Sequence, residues 1–182
     1  FEKSLGIVAD GEAEVDCITI FDCNGTNVKK IYNKSLPHSL GWYYKAFTIF
    51  CGFDRHQGPG MFMGLSPYGK PNNEIRKKVE KVLCWKHEDI ENFDYSIDPE
   101  YLYLGERFSE NKYLTKKFTD LFGKPCSDTF NPEQYYKDIA FEVQDRMEKT
   151  LYKLIDKFLI QTGHKYVTLS GGVFLNCKAT GY

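Results

Sequence analysis

The chain has 182 residues, 42% of them hydrophobic and 27% charged, with a net charge of −1. That is apolar material for one core, or one and a fraction, and too much for a disordered chain. The absence of a basic excess argues against a nucleic-acid surface, and no run is long and apolar enough for a membrane span or a signal peptide.

The chain opens on a predicted antiparallel meander. Ser4–Ala9 reads as a strand that ends at the Asp10-Gly11 turn signal. The residues from Glu14 to Phe21 alternate, with Val15 and Cys17 on the apolar side, as a half-buried strand does. Asn24-Gly25 is a strong hairpin signal, and Thr26–Tyr32 returns as the third strand.

An apolar-rich helix is expected over Ser39–Cys51, capped by Ser39 or introduced by Pro37-His38. The Gly/Pro-dense stretch Gln57–Gly69 reads as a loop, and Asn73–Leu83 as a second helix. Residues 84–130 are aromatic and charged, with one helix expected near Asn111–Phe122. They read as an insertion or lid.

The clearest element is a helix from Pro132 to about Thr162. Asn131 stands as its N-cap, Pro132 at N1, Gln134 at N3, and Gly163 stops it. Tyr136, Ile139, Ala140, Val143, Met147, Leu151, Leu154, Ile155 and Phe158 recur at helical spacing as its core face.

A strand at Tyr166–Leu169 then meets Gly171-Gly172, and Val173–Cys177 reads as the start of a further helix. Adjacent glycines at a strand-to-helix junction let a backbone approach a ligand, and the opening N–H groups favour an anion. The same junction also suits a tight turn that binds nothing. The first residue is Phe1 rather than methionine, and the chain stops at Tyr182, soon after that helix opens. It is expected to be part of a larger protein.

Six cysteines are scattered with no CxxC pair, which suits reduced thiols in a cytoplasmic protein better than a disulfide framework or a zinc module. The element order predicts an α/β fold. A three-strand meander, a long core helix and a βα Gly-Gly junction suit part of a lobe of the actin, sugar-kinase and heat-shock ATPase kind.

Four segments in order carry a family resemblance. Pro37-His-Ser-Leu-Gly-Trp-Tyr-Tyr-Lys-Ala-Phe-Thr48 with Gly52-Phe53 resembles a PHSLG…AFT…GF pattern. Met63-Gly-Leu-Ser-Pro-Tyr-Gly69 resembles an MGLAPYG loop. Asp138, Ala140, Val143, Gln144 and Glu148, followed by Leu169-Ser-Gly-Gly-Val-Phe-Leu-Asn-Cys177, are similar to D.A..VQ..E and L.GGV.LNC. Asp10-Gly11 with Glu14 is similar to a DG.GE turn. Together they resemble the ATP-dependent O-carbamoyltransferases that modify antibiotics and nodulation factors, whose nucleotide-binding lobe is shared with the tRNA threonylcarbamoyl-adenosine enzymes.

The resemblance implies ATP, carbamoyl phosphate and a divalent metal, iron or magnesium, with a hydroxyl-bearing small molecule, sugar or nucleotide as acceptor. It places Gly171, Gly172 and Asn176 against the nucleotide and Asp10 on the metal or phosphate side. His38, Met63, Gly64 and Tyr68 would border the acceptor or carbamoyl pocket. In the family, paired histidines that hold the metal lie upstream of the position matching Phe1, and an adenylate-forming domain comes after the lobe. Residues 1–182 are thus expected to form a partial ATPase-like domain, inactive alone.

Gly58-Pro59-Gly60-Met61 stands where the family carries an acid and a lysine, Ala13 replaces a glycine and Thr180 an asparagine. Two other readings stay open: a non-catalytic nucleotide-binding homologue or scaffold, and a sugar-kinase-type phosphotransferase. No pattern in the chain specifies the acceptor or the oligomeric state.

Overall fold

The computed structural model describes residues 2–11, 15–54, 56–102 and 114–181. Glu14, Ala13 and the first residues of the helix expected near Asn111 lie outside them. The chain divides into two compact units, one of Phe1–Gly41, Trp85–Ser96 and Glu148–Tyr182, the other of Trp42–Cys84 and Ile97–Met147.

The first unit is built on a four-stranded mixed sheet. Its strands are β1 (Lys3–Ala9), β2 (Asp16–Asn24), β3 (Asn27–Ser35) and β6 (Val167–Ser170), in the order β3-β2-β1-β6. The expected meander forms, since β1 pairs antiparallel with β2 and β2 with β3, while β6 joins β1 in parallel with Leu5 opposite Val167 and Val8 opposite Ser170.

The buried face of β2 differs from the alternation read in the sequence. Val15 is 65% exposed, and Cys17, Ile18 and Ile20 are buried. A register shift between Asp16 and Ile18 explains this, because a bulge passes the inward face from one set of alternate residues to the other. Leu5, Ile7 and Ala9 of β1 complete that face. The strand β3 carries exposed Lys29 and Lys30 at the sheet edge, charges that oppose pairing with another chain.

Two strands went unread in the sequence, the first of them starting at Leu83, where the second helix was expected to end. They are β4 (Leu83–His87) and β5 (Asp94–Ile97), which form a separate two-stranded sheet. In the first unit, Asp94 accepts hydrogen bonds from Lys34 Nζ at 2.5 Å and Tyr32 Oη at 3.0 Å, and pairs with Lys86 at 3.1 Å.

Burial raises the Asp94 carboxyl, but the hydrogen bond and charge of Lys34, with Lys86 and Tyr32, outweigh it and hold its pKa at about 2. Lys34 moves down from its ordinary value because burial outweighs the attraction of Asp94, so the pair contributes less than the Asp94 shift alone. A folded carboxyl at about 2 against 3.8 sets an upper bound of about 2 kcal/mol, which solvent screening and the opposing Lys34 shift reduce to about 1 kcal/mol, fully present above pH ~4 and lost as pH falls through about 2. Asp94→Asn is expected to lower stability at neutral pH by about that amount and to flatten the loss between pH ~4 and ~2, in urea titrations at stepped pH.

In the second unit the helices are α1 (Leu40–Phe50, whose first two residues belong to the first unit), α2 (Gly58–Leu65), α3 (Asn73–Val82) and α4 (Lys116–Phe122). Residues 134–147 of α5 (Gln134–Thr162) also belong here, and residues 148–162 to the first unit. Phe47, Phe50, Phe118 and Phe122 make the aromatic centre of the second core. Phe118 lies 5.0 Å from Phe47 and 4.7 Å from Phe122 between ring centroids.

Of the core face expected for α5, Ile139, Ala140, Val143, Met147, Leu151, Leu154 and Phe158 are buried and Tyr136 and Ile155 half-buried, and Gly163 closes the helix by donating to Leu159 O at 2.8 Å. The helix begins at Gln134, two positions past the expected Pro132.

Gln57–Gly69 is helical where the sequence reads as a loop: α2 runs into a 3₁₀ turn at Ser66–Tyr68. Proline in the first turn costs no hydrogen bond, and buried Phe62 and Leu65 anchor the helix despite three glycines. Among the described residues no helix is long and apolar enough to cross a membrane.

Candidate functional site

Asp10 directly follows β1, and the parallel partner β6 ends beside it, so the pairing brings Asp10-Gly11 and the Gly171-Gly172 junction together. The two glycines do different things. Gly171 has φ +102°, and a Cβ there would lie 2.2 Å from Ala9 O and 2.7 Å from Ala9 C. Its missing side chain is the space that the β1 backbone occupies. Gly172 is exposed, and a Cβ on it would lie 3.2 Å from Asp10 Oδ1. Asp10 thus faces an open backbone position, with one carboxylate oxygen accepting Gly11 N at 2.6 Å.

The junction leads into a 3₁₀ turn, Gly172–Leu175, and the α-helix α6 (Cys177–Thr180) starts only at Cys177. The helix expected from Val173 is therefore delayed. The physical reason is Asn176, whose extended backbone and side-chain oxygen cap α6 by accepting from Ala179 N at 3.1 Å. Asn176 is 9% exposed, so this cap lies under the junction surface.

His38 is half-buried and precedes α1. Its main chain is fixed on both sides, with its N–H donating to Ser35 O at 3.0 Å and its carbonyl accepting from Tyr95 Oη at 3.1 Å. Asp10, His38, Gly171, Gly172 and Asn176 all belong to the first unit, whereas Met63, Gly64 and Tyr68 belong to the second.

Met63 and Gly64 are in the last turn of α2, and Tyr68 is 70% exposed on the 3₁₀ turn after it. That turn is fastened to α5. Lys70 N donates to Asp138 Oδ1 at 2.9 Å, Gln134 Nε2 to Tyr68 O at 3.2 Å, and Asn72 N to Glu142 Oε1 at 2.6 Å. Glu142 is 1% exposed and also takes Arg76 Nε at 3.0 Å. The hydrogen bond to Glu142, helped by its charge, raises the Arg76 guanidinium further. Gln134 and Glu142 are partners that sequence reasoning missed. Glu142 lies beside the core positions of α5, and an acid beside that face was the available signal.

Among the described residues no group of three or more histidine, cysteine, aspartate or glutamate side chains is arranged to hold a metal ion. All six cysteines are thiols rather than disulfides, and burial raises those of Cys17, Cys51 and Cys84 above the ordinary range. Those three are poorly suited to act as nucleophiles at neutral pH.

The family of carbamoyltransferase N-termini matches residues 2–182, and the chain belongs to it. Over its full length it is 32% identical to the uncharacterized protein sll1178 of Synechocystis sp.. It is 28% identical to the nodulation protein NolNO of Sinorhizobium fredii and 25% identical to the nodulation protein NolO of Bradyrhizobium diazoefficiens. The chain spans 28%, 24% and 30% of the lengths of these three relatives.

Proposed function

We propose that this chain is part of the nucleotide-binding lobe of an O-carbamoyltransferase of the cytoplasm, in an actin-like or sugar-kinase-like ATPase fold. The full-length protein would use one water to split carbamoyl phosphate into carbamate and phosphate, and the carbamate oxygen would attack the α-phosphorus of ATP to form carbamoyl adenylate, releasing pyrophosphate. The acceptor hydroxyl oxygen would then attack the carbamoyl carbon. A C–O bond forms, the anhydride bond to phosphorus-bound oxygen breaks, the hydroxyl proton is lost and AMP leaves. The observation that carries this reading is Asp10 facing the exposed Gly172 across the β1–β6 pairing.

The residues present fit a nucleotide better than a bare anion. An uncompensated carboxylate beside Gly172 would repel phosphate, whereas a divalent cation carried on the phosphates reconciles the two charges. Asp10 is a single ligand, so the cation would arrive bound to the nucleotide or be completed by residues elsewhere in the protein. When bound, the metal would stabilise phosphate charge. Gly172 would admit the phosphates, Gly171 would hold the junction against β1, and Asn176 would support it from below by capping α6. Each unit keeps its own residues on the acceptor or carbamoyl side: His38 in the first, and Met63, Gly64 and the exposed Tyr68 in the second.

One observation favours a non-catalytic, nucleotide-binding homologue as the second reading. The first turn of α2, at the position of the family's acid and lysine, carries no acidic residue. The deciding assay gives the full-length protein ATP and magnesium, with and without carbamoyl phosphate. Pyrophosphate release that requires carbamoyl phosphate is the expected result. ATP binding with no pyrophosphate would favour the homologue. ADP formation driven by an acceptor hydroxyl without carbamoyl phosphate would replace both readings with a phosphotransferase.

A further inference from the structure

We propose that Ser39 is a positioning residue that acts through Gly11 to set the Asp10 carboxylate opposite Gly172. The inference rests on the assignment of Asp10 to the phosphate side of a bound nucleotide. Ser39 is fully buried just before α1, where a serine ordinarily serves as a helix cap. Here its hydroxyl donates to Gly11 O at 3.0 Å, across a sequence separation of 28 residues.

Gly11 is held from a second direction as well. A Cβ on Gly41 would lie 2.5 Å from Gly11 Cα and 2.9 Å from Gly11 N, so the first turn of α1 rests directly on the turn backbone. Gly11 in turn donates its N–H to Asp10 Oδ1 at 2.6 Å, and Asp10 N donates to Cys17 O at 2.9 Å. The carbonyl side of Gly11 is thus tied to Ser39 and the amide side to the carboxylate. Rotation of the Gly11 backbone would carry the carboxylate with it.

The segment that does the holding is itself fixed. The Tyr95 hydroxyl donates to His38 O at 3.1 Å, and His38 N donates to Ser35 O at 3.0 Å. These contacts give the Pro37–Gly41 motif a task that the sequence does not suggest. The chemistry-bearing group is Asp10, and Ser39 and Gly41 are its mount.

The test measures ATP affinity of the full-length protein with magnesium and with EDTA, for wild type, Asp10→Asn, Ser39→Ala, Ser39→Thr and Gly41→Ala, beside each melting midpoint. Loss of one well-placed hydrogen bond predicts that Ser39→Ala lowers the magnesium-dependent gain in affinity about tenfold. The EDTA affinity should be unchanged, and Ser39→Thr, which keeps the hydroxyl, should recover the gain. Gly41→Ala, which presses the same turn from the other side, should lose it too.

A Ser39→Ala protein with a lower midpoint but the full magnesium effect would overturn the proposal and leave Ser39 a plain helix cap. If Asp10→Asn removes the effect and Ser39→Ala does not, the functional reading stands and only this inference falls. If wild type binds no ATP, or Asp10→Asn keeps the whole magnesium effect, the functional reading falls and takes the inference with it.

Discussion

Gly171→Ala is expected to be among the most damaging single substitutions in the first unit, costing about 3–5 kcal/mol of stability, from left-handed strain and overpacking together. At φ +102° an alanine is strained whatever space surrounds it, and here the space is taken by Ala9 O at 2.2 Å from the added Cβ. The carbonyl cannot yield cheaply, because Ala9, the last residue of β1, pairs with Ile18 and the next residue still donates from Asp10 N to Cys17 O at 2.9 Å. The junction must therefore separate from β1, and the short four-residue strand β6 has little pairing with which to resist.

For a chain of this size the loss corresponds to a fall of about 10 °C in melting midpoint, measured by circular dichroism. Gly172→Ala makes the informative comparison. Its Cβ would meet only Asp10 Oδ1 at 3.2 Å, a side-chain atom that can shift by a few tenths of an ångström. Its stability should stay within about 1 kcal/mol of wild type, while nucleotide affinity falls if the exposed face of Gly172 receives phosphate.

The contrast between those two glycines marks what a sequence conveys and what it withholds. The meander, the core face of α5 and the stop at Gly163 were legible because they depend on local periodicity and turn chemistry. The hairpin was legible for the same reason, with Asn24 pairing with Asn27 around Gly25. Where tertiary contacts decide, the reading fails. The helix α2 forms through Phe62 and Leu65 although Gly58, Gly60 and Gly64 argue for a loop. The strand β4 ends on Lys86 and His87 with no alternation, and β5 alternates over only four residues, too short a run to be read as a strand.

The candidate site divides in the same way. Asp10 and the glycine pair were visible as residue types at turn positions. The register of β1 with β6, which makes them neighbours, is a long-range pairing that no local pattern encodes. The roles of Ser39 and Gly41 depend on contacts that reach 28 positions or more along the chain.

The second unit yields a substitution of comparable expected size by a different route. Gly69 has φ −82° and ψ 168°, a conformation that any residue adopts, so backbone strain plays no part. The obstacle is steric alone. A Cβ on Gly69 would lie 2.1 Å from Lys137 O, 2.7 Å from Lys137 C and 2.6 Å from Phe141 Cβ. Those atoms belong to the unit's part of the long helix α5, whose hydrogen-bonded backbone moves less readily than the turn above it.

The turn would have to lift away from α5. With it would go the bonds from Lys70 N to Asp138 at 2.9 Å and from Asn72 N to Glu142 at 2.6 Å. Glu142, nearly inaccessible, would keep Arg76 but lose the Asn72 N–H, a hydrogen bond to a charged group that contributes about 1.5–3 kcal/mol. Gly69→Ala is therefore expected to lose about 3–5 kcal/mol by urea denaturation. Hydrogen exchange should accelerate from Ser66 through the first turn of α3, and the β1–β2 hairpin should keep its protection.

Relief of the clash at its source provides the check on the cause. Lys137 contributes its main-chain carbonyl, which no side-chain substitution removes, so a partial rescue must come through Phe141. Only glycine removes the Cβ there, and its own cost is read from Phe141→Gly alone. The double variant should then lose less than the two single losses added together, because the second obstacle is gone. Asp138→Ala should cost about 1 kcal/mol, since its bond to Lys70 N is exposed and water can replace it. Strict additivity in the double variant, with Asp138→Ala reproducing the whole Gly69→Ala loss, would mean that the hydrogen bonds rather than the close approach hold the turn.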